Sequence, residues 1–389
     1  MNNLTAVNGL VAKRVLIMTL LAVMLVMVSN YVQAQTDFIK VGLINETKNL
    51  KINAVQGISL KTSDGYSLKL DSAAGFQFKK MGQFVRINNY FFTSDHISIA
   101  PLGDQLLKIN ARDYKGTIKL INNNEAMTVV NKVGMTDYLA SVIGSEIDPK
   151  WPLAALKAQA VVARTYALRN LNSHASKGYN LSNTIYSQAY KGDHVTTPKV
   201  YQAVEETVGE VLTYQGQLIS AVYHSNAGGK TAQGAVIWEG ETPYLQSVRS
   251  KDHYAPNYQW QKRYNSKRIE EILNAKGISI GSIEEISLKN LGPSGRAREV
   301  FIIGDERRVS IDSSKFRFWL QLRSTKFSIN KFNQVYVFKG KGWGHGVGMS
   351  QWGAYQMARE GATYQDILEH YYQNIKLVKK DFGGIDDES

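Results

Sequence analysis

At 389 residues, 43% of them hydrophobic and 20% charged, the chain has the composition of an ordinary globular protein long enough for more than one domain or subdomain, without disorder-type or collagen-like bias. It contains no cysteine, which excludes disulfides, thiol catalysis and cysteine-ligated zinc. Its 46 basic residues outnumber 33 acidic ones, for a net charge of +13. Such a balance suits an acidic polymer or surface; the basic residues are dispersed and no nucleic-acid motif accompanies them, so no nucleic-acid partner is expected.

Residues 1–34 read as a signal peptide. Lys13 and Arg14 precede the apolar run Val15 to Val28, and Val32-Gln33-Ala34 supplies cleavage-site residues. The run falls short of the roughly 20 residues that a spanning helix needs. Membrane contact is therefore expected only if this segment stays uncleaved, and without a following cysteine a lipoprotein anchor is excluded. Cleavage would remove two basic residues and no acidic one, leaving +11.

Residues 35–120 read as a β-rich N-terminal region, with the strand pattern continuing to residue 133. Short alternating runs such as Gln77-Phe78-Lys79 and Phe84-Val85-Arg86-Ile87 are broken by turns at Ser63-Asp64-Gly65 and Asn88-Asn89. A meander is expected over Leu106–Ala111, Gly116–Ile121 and Met127–Val133, with turns at Tyr114-Lys115-Gly116 and Asn122-Asn123-Asn124.

Thr136 is the expected cap of a helix whose apolar positions Tyr138, Leu139, Val142 and Ile143 recur at helical spacing. Glu146 falls at its end, before Asp148-Pro149, and Trp151-Pro152 opens the next helix with proline at an early position. That helix carries alanines at 154, 155, 158, 160 and 163, a sign of close packing, with Lys157 and Arg164 seven residues apart on one face. A carboxyl between apolar surface and basic neighbours has its pKa set by the stronger influence, as proton-transfer chemistry requires. The residues alone fit a surface glutamate at a helix end equally well.

A hairpin is expected over Val211–Tyr214 and Gln217–Tyr223, running into His224-Ser225-Asn226-Ala227-Gly228-Gly229-Lys230-Thr231, which reads as a cleft-lining loop or as a plain turn. Residues 260–335 read as an inserted α+β subdomain with no catalytic pattern: helices at Ser266–Lys276 and Ser313–Leu322, strands near Ile283–Asn290 and Glu299–Ile303. Then glycine takes every second position from 340 to 348, with Trp343, His345 and Val347 between. Five alternating glycines imply unusual torsions or a backbone pressed against another element or a ligand, and neither the dinucleotide nor the P-loop pattern is present. Ser350 caps a helix to Arg359 that Gly361 stops, Thr363 and Asp366 have capping-box spacing for a helix over Tyr364–Tyr372, and 379–389 is an acidic tail. The fold class expected is α+β, with mixed β-sheets and helices around a substrate groove.

Three segments in this order, Tyr138–Leu168, Tyr223–Thr231 and Gly342–Ala354, resemble the three signatures of the stage II sporulation protein D / LytB family (SpoIID/LytB domain) over residues 121–378. The family's characterised sporulation members are lytic transglycosylases acting on peptidoglycan strands stripped of stem peptides. The resemblance therefore implies a bacterial secreted, periplasmic or cell-wall-associated enzyme, peptidoglycan glycan strands as partner, and no cofactor. It matches the family's catalytic glutamate to Glu146, with Asp148 as fallback acid. Lys157, Arg164, His224, Ser225 and Ser350, joined by Gln351, are expected substrate contacts. Trp343 and Trp352 are read as stacking on sugar faces, with core packing equally open for Trp352. His224 and His345 are read as hydrogen-bonding sugar hydroxyls or the glutamate, since as a metal pair they lack a third ligand. The alternative is a non-catalytic peptidoglycan-binding enhancer of a cell-wall amidase. Family members can carry zinc on cysteines absent here, and the cleavable N-terminus departs from the sporulation members' anchor, so sporulation is not implied.

Overall fold

Along Phe76–Met81 and Phe84–Ile87 every second residue is buried, the pattern of strands that face a core on one side and water on the other. The computed structural model, which describes residues 38–71, 75–184, 187–236 and 242–380, builds two sheets from such strands. The first has seven strands in the order Leu181–Ser182, Phe38–Thr47, Met127–Gly134, Thr117–Asn122, His96–Pro101, Ile58–Thr62, Ser67–Leu70. The second has six: Arg112–Tyr114, Leu107–Ile109, Asn49–Asn53, Phe76–Met81, Phe84–Ile87, Tyr90–Phe92. Inner residues of both, among them Ile39, Ile99 and Leu120 from the first and Ile52, Phe78 and Val85 from the second, share one core. The expected strand Leu106–Ala111 is cut at Ile109, because Asn110 and Ala111 turn through positive φ and Arg112–Tyr114 runs back antiparallel. The expected signal peptide, 1–34, and the tail from 381 lie outside the described residues.

Seven helices occur among the described residues: α1 Met135–Glu146, α2 Leu153–Arg169, α3 Pro198–Glu205, α4 Ser266–Asn274, α5 Ser313–Trp319, α6 Gln351–Arg359 and α7 Tyr364–Tyr371. With the sheets they make the expected α+β fold, and none is long and apolar enough to cross a membrane. Helix α1 starts one residue before Thr136, with Gly134 at its N-cap, and Glu146 is its last residue. Pro152 is the N-cap of α2, whose fixed φ of −54° leads the chain into the helix.

Helix α2 explains its alanines. Leu156, Ala160, Ala163 and Ala167 belong to the sandwich core, whereas Ala158, Val161 and Val162 belong to a second core with Leu212, Val347, Met349, Ile367 and Tyr371. A helix apolar on all sides lies inside, and small side chains let its neighbours approach. A third core, in the 260–338 stretch, joins Ile269 and Leu273 of α4 and Phe316 of α5 to strands including Ala297–Gly304 and Val335–Lys341.

The glycine-rich segment continues the strand Val335–Lys341, then leaves extended geometry: Gly342, Gly344, Gly346 and Gly348 all have positive φ. It lies against the segment from Val222 to Gly228. Trp343 and Asn226 exchange backbone hydrogen bonds of 2.9 and 3.1 Å, and Tyr223–His224 pairs in parallel with Met349–Ser350. That pairing ends the expected hairpin strand early, at Leu218. A Cβ on Gly346 would collide with the Arg296 guanidinium, and one on Gly348 with the Val222 carbonyl. The Gly348→Ala variant therefore meets both a left-handed backbone and a fixed carbonyl, and is expected to lose about 2–4 kcal/mol of stability. Urea denaturation measures it.

Candidate active site

Glu146 ends α1 because Ile147 turns to extended geometry and Asp148 makes a turn, its Oδ1 accepting from Lys150 N–H at 2.9 Å. The expected fallback acid is thus exposed and occupied as a turn residue. The Glu146 carboxyl is half-buried, and its Oε1 accepts from Ala189 N–H at 3.0 Å and from Tyr223 Oη–H at 3.4 Å, with the Gln351 amide also bonded to the carboxyl. Burial raises its pKa; those donors and the Lys191 ammonium oppose the rise without cancelling it. Behind it runs a chain of hydrogen bonds: Tyr138 Oη–H donates to Gln188 Oε1 at 2.8 Å, and Gln188 Nε2 donates to Tyr223 Oη at 3.2 Å. Tyr138, Gln188 and Tyr223 hold one another and thereby hold the proton that Tyr223 presents to Glu146.

The two histidines, with ring centroids 5.3 Å apart, are fastened to one residue. Val347 N–H donates to His345 Nδ1 at 3.1 Å, so His345 carries its proton on Nε2 and donates it to the Tyr223 carbonyl at 2.9 Å. His224 Nδ1 meets the Val347 carbonyl at 3.0 Å and must be the donor there, which leaves its buried Nε2 an acceptor with no hydrogen-bond partner among the described residues. Burial drives the His224 pKa well down, and that of His345 to about 4, with cationic Arg317 and Arg296 adding to the effect. Both rings are neutral near pH 7, and their bonds run to backbone rather than to Glu146. The cysteine-based zinc site that the family resemblance brings up does not fit these residues: cysteine is absent, three of the four imidazole nitrogens are spent on backbone, and no group of three His, Asp or Glu gathers among the described residues.

Asp252 ties the site together. Buried, it accepts from Ala227 N–H, Gly229 N–H at 2.8 Å, Ser250 Oγ at 3.0 Å and Ser350 Oγ at 2.8 Å. Ser350, fully buried, also caps α6 by accepting from Gly353 N–H at 3.3 Å. Arg296, buried as well, donates to the Ala227 carbonyl at 2.9 Å. The stretch read as free of site residues thus sends a guanidinium beneath the glycine-rich segment.

The other expected contacts separate into groups. Lys157 and Arg164 do share a face of α2, but Lys157 pairs with Glu206 and lies 5.5 Å from the Tyr364 ring centroid. Arg164 is 2% exposed and donates to the carbonyls of Val204 and Glu210. Its guanidinium ties α2 to the end of α3 and the following strand, which corrects its reading as a substrate contact. Ser225 is half-buried, with its carbonyl accepting from Trp352 N–H at 3.1 Å. Gln351 lies between Glu146 and Gln159, 3.4 Å from Gln159 Oε1. Trp352 packs between Trp151 and Tyr355, with ring centroids 5.0 and 5.3 Å away, half-buried against the sandwich core. Trp343 is 42% exposed, under the Arg323 guanidinium at 4.8 Å.

The Glu146 carboxyl is harder to ionise folded than unfolded. Its contribution to stability is therefore fully present below the unfolded value of about 4.3 and is lost as pH rises through the raised folded value. Glu146→Gln cannot ionise. It is expected to melt above the wild type at pH 8 and together with it at pH 4, as thermal unfolding at the two pH values will read.

The Stage II sporulation protein family model matches residues 123–214, and a domain model of unknown function matches 244–348. An uncharacterized protein of Brachyspira hyodysenteriae is 33% identical over 274 residues, covering 69% of this chain and 73% of that protein. Stage II sporulation protein D of Bacillus subtilis is 30% identical over 268 residues, 65% of this chain and 76% of the relative. An amidase enhancer of Bacillus subtilis is 29% identical over 289 residues, 62% of this chain and 40% of the enhancer. With such identity across three quarters of a sporulation protein D, the chain belongs to the stage II sporulation protein D family.

Proposed function

We propose that this chain acts outside the cytoplasm on the bacterial cell wall, as a lytic transglycosylase that cleaves the β-1,4 bond from N-acetylmuramic acid to N-acetylglucosamine in glycan strands. The carrying observation is the half-buried Glu146 carboxyl, its pKa raised by burial and its Oε1 held by Ala189 N–H and Tyr223. Glycosidases that use water normally need two carboxylates. Here the charged neighbour acting on Glu146 is Lys191, a cation, and Asp148 is engaged with Lys150.

One acid suffices when the sugar supplies its own nucleophile. Protonated Glu146 gives its proton to the glycosidic oxygen as the bond from C1 to that oxygen breaks. The C6 hydroxyl oxygen then bonds to C1, closing the 1,6-anhydro ring, and its proton passes to the Glu146 carboxylate. No water is consumed and the acid is restored. A raised pKa keeps the proton available closer to neutrality. Tyr223, Ala189 and Gln351 hold the carboxylate during the interval when it is charged.

The likeness to an amidase enhancer supports a second reading, in which the same site binds glycan without turnover and stimulates a cell-wall amidase.

Incubating the full chain with peptide-free and peptide-bearing strands, followed by mass spectrometry, tests the choice. Anhydro-muramic ends are expected, reduced roughly 10²- to 10⁴-fold in Glu146→Gln. Undiminished activity in that variant removes Glu146 as the acid; binding without new ends, joined by faster amidase turnover, moves the function to the enhancer. Because the Tyr223 hydroxyl lowers the Glu146 pKa, Tyr223→Phe is expected to raise it further, shifting the alkaline fall of the pH–rate profile to higher pH.

A further inference from the structure

Three cationic side chains, Arg323, Arg317 and Lys262, gather in the same cleft as Trp343. Arg323 lies over the Trp343 ring and donates to Asn257 Oδ1 at 2.7 Å. Arg317, on α5, donates through Nε to the carbonyls of Leu322 and Arg323, at 3.3 and 3.2 Å. Those bonds fix the plane of its guanidinium while no hydrogen bond engages either terminal nitrogen among the described residues. Among the described residues Lys262 donates only to the carbonyls of Leu320 and Gln321. Among the described residues none of the three forms an ion pair. Arg317 is half-buried, and its charge is felt by both His224 and His345.

These groups line a cleft of about 950 Å³, together with Gln259 and with Phe318, which is 60% exposed. The cleft is linked to the candidate active site through the backbone. Trp343 pairs with Asn226, three residues from Tyr223, a chain path of at most roughly 11 Å.

The chemistry narrows the occupant. A half-buried cation without an ion pair is unfavourable until an anion joins it, and a planar guanidinium with free terminal nitrogens matches a carboxylate in two-point fashion. Exposed Trp and Phe rings offer flat faces to the apolar side of a sugar ring, and the Gln259 amide offers a donor and an acceptor. We propose that the cleft bounded by the strand Gln259–Asn265, α5 and Trp343 is a subsite for a carboxylate-bearing sugar residue, with the ring against Trp343 and the carboxylate on Arg317 and Arg323. The subsite rests on the glycan strand proposed above as substrate. In such a strand the carboxylate comes either from the lactyl group of a peptide-free muramic acid or from an attached stem peptide.

The test is equilibrium binding by the full chain carrying Glu146→Gln, so that turnover plays no part. The probes are a peptide-free muramoyl strand, a peptide-bearing strand and a neutral chitooligosaccharide of equal length. Carboxylated strands are expected to bind about 10-fold or more tighter than the neutral oligomer, an advantage that Arg323→Gln removes. Added salt should weaken carboxylated binding alone, a reading that needs no further variant. Tighter binding of the peptide-free strand assigns the lactyl carboxylate, and tighter binding of the peptide-bearing strand assigns the peptide's. Equal affinity for neutral and carboxylated probes overturns the subsite, as does competition by inorganic polyphosphate as strong as that of the strand. Carboxylate-selective binding without anhydro ends from the Glu146 protein would leave the subsite standing and remove the transglycosylase; anhydro ends with charge-blind binding would do the reverse.

Discussion

Two stretches of backbone, Val222–Gly229 and Gly342–Gly348, lie against each other, joined by backbone hydrogen bonds between Asn226 and Trp343, and the site is arranged around that contact. Where glycine supplies the space, other groups fill it: the Arg296 guanidinium under Gly346, the Val222 carbonyl against Gly348, and the His224 Cβ against Gly344. Asp252 then locks the crossing from below, one carboxylate accepting from both the His224 loop and the serine that opens α6. A buried carboxylate is tolerated when its oxygens are satisfied, and here the four donors that satisfy it are the pieces that need aligning. The Val347 peptide does the same on a smaller scale, fixing one tautomer on each histidine through its N–H and its carbonyl.

The second determinant is α2. It contributes to two cores at once, so the sandwich on one side and the glycine-rich layer on the other take their positions from a single rigid element. Helix α1 and the α6 start, which carry Glu146 and Gln351, both pack on it. The acid and the amide that touches it are therefore referred to the same helix, although they lie far apart in the chain. The price is a helix with almost no face left for solvent, and this is why Arg164 ends up structural.

Local chemistry made many elements legible in the sequence. The capping box Thr363–Asp366, the Ser350 cap, the Gln215-Gly216 turn and the turn-prone asparagines act within a few residues of themselves, and the structure uses each. Glu146 as the end of a helix was legible for the same reason. What met it was not: Ala189 N–H and Gln188 arrive from a loop with no periodicity, and Tyr223 from a strand whose partner, Met349–Ser350, lies more than a hundred residues on. Periodicity placed Lys157 and Arg164 on one face correctly. It cannot say what that face touches, and the answer is α3 rather than a groove. Asp252 and Arg296 had no sequence pattern at all, since an isolated charge becomes recognisable as buried only when its partners are assembled.

Glu146 also occupies a particular end of a helix. As the last residue of α1 it sits where the unpaired carbonyls of the final turn concentrate the negative pole of the helix dipole. A negative pole disfavours ionisation of a carboxyl placed beside it, in the same direction as burial. The direction in which α1 runs is thus part of the acid's tuning. An identical carboxyl at the opposite end of the same helix, equally buried, would meet free N–H groups and settle toward the charged form. Chain polarity, a property no single side chain carries, adds to the upward shift of this carboxyl's pKa.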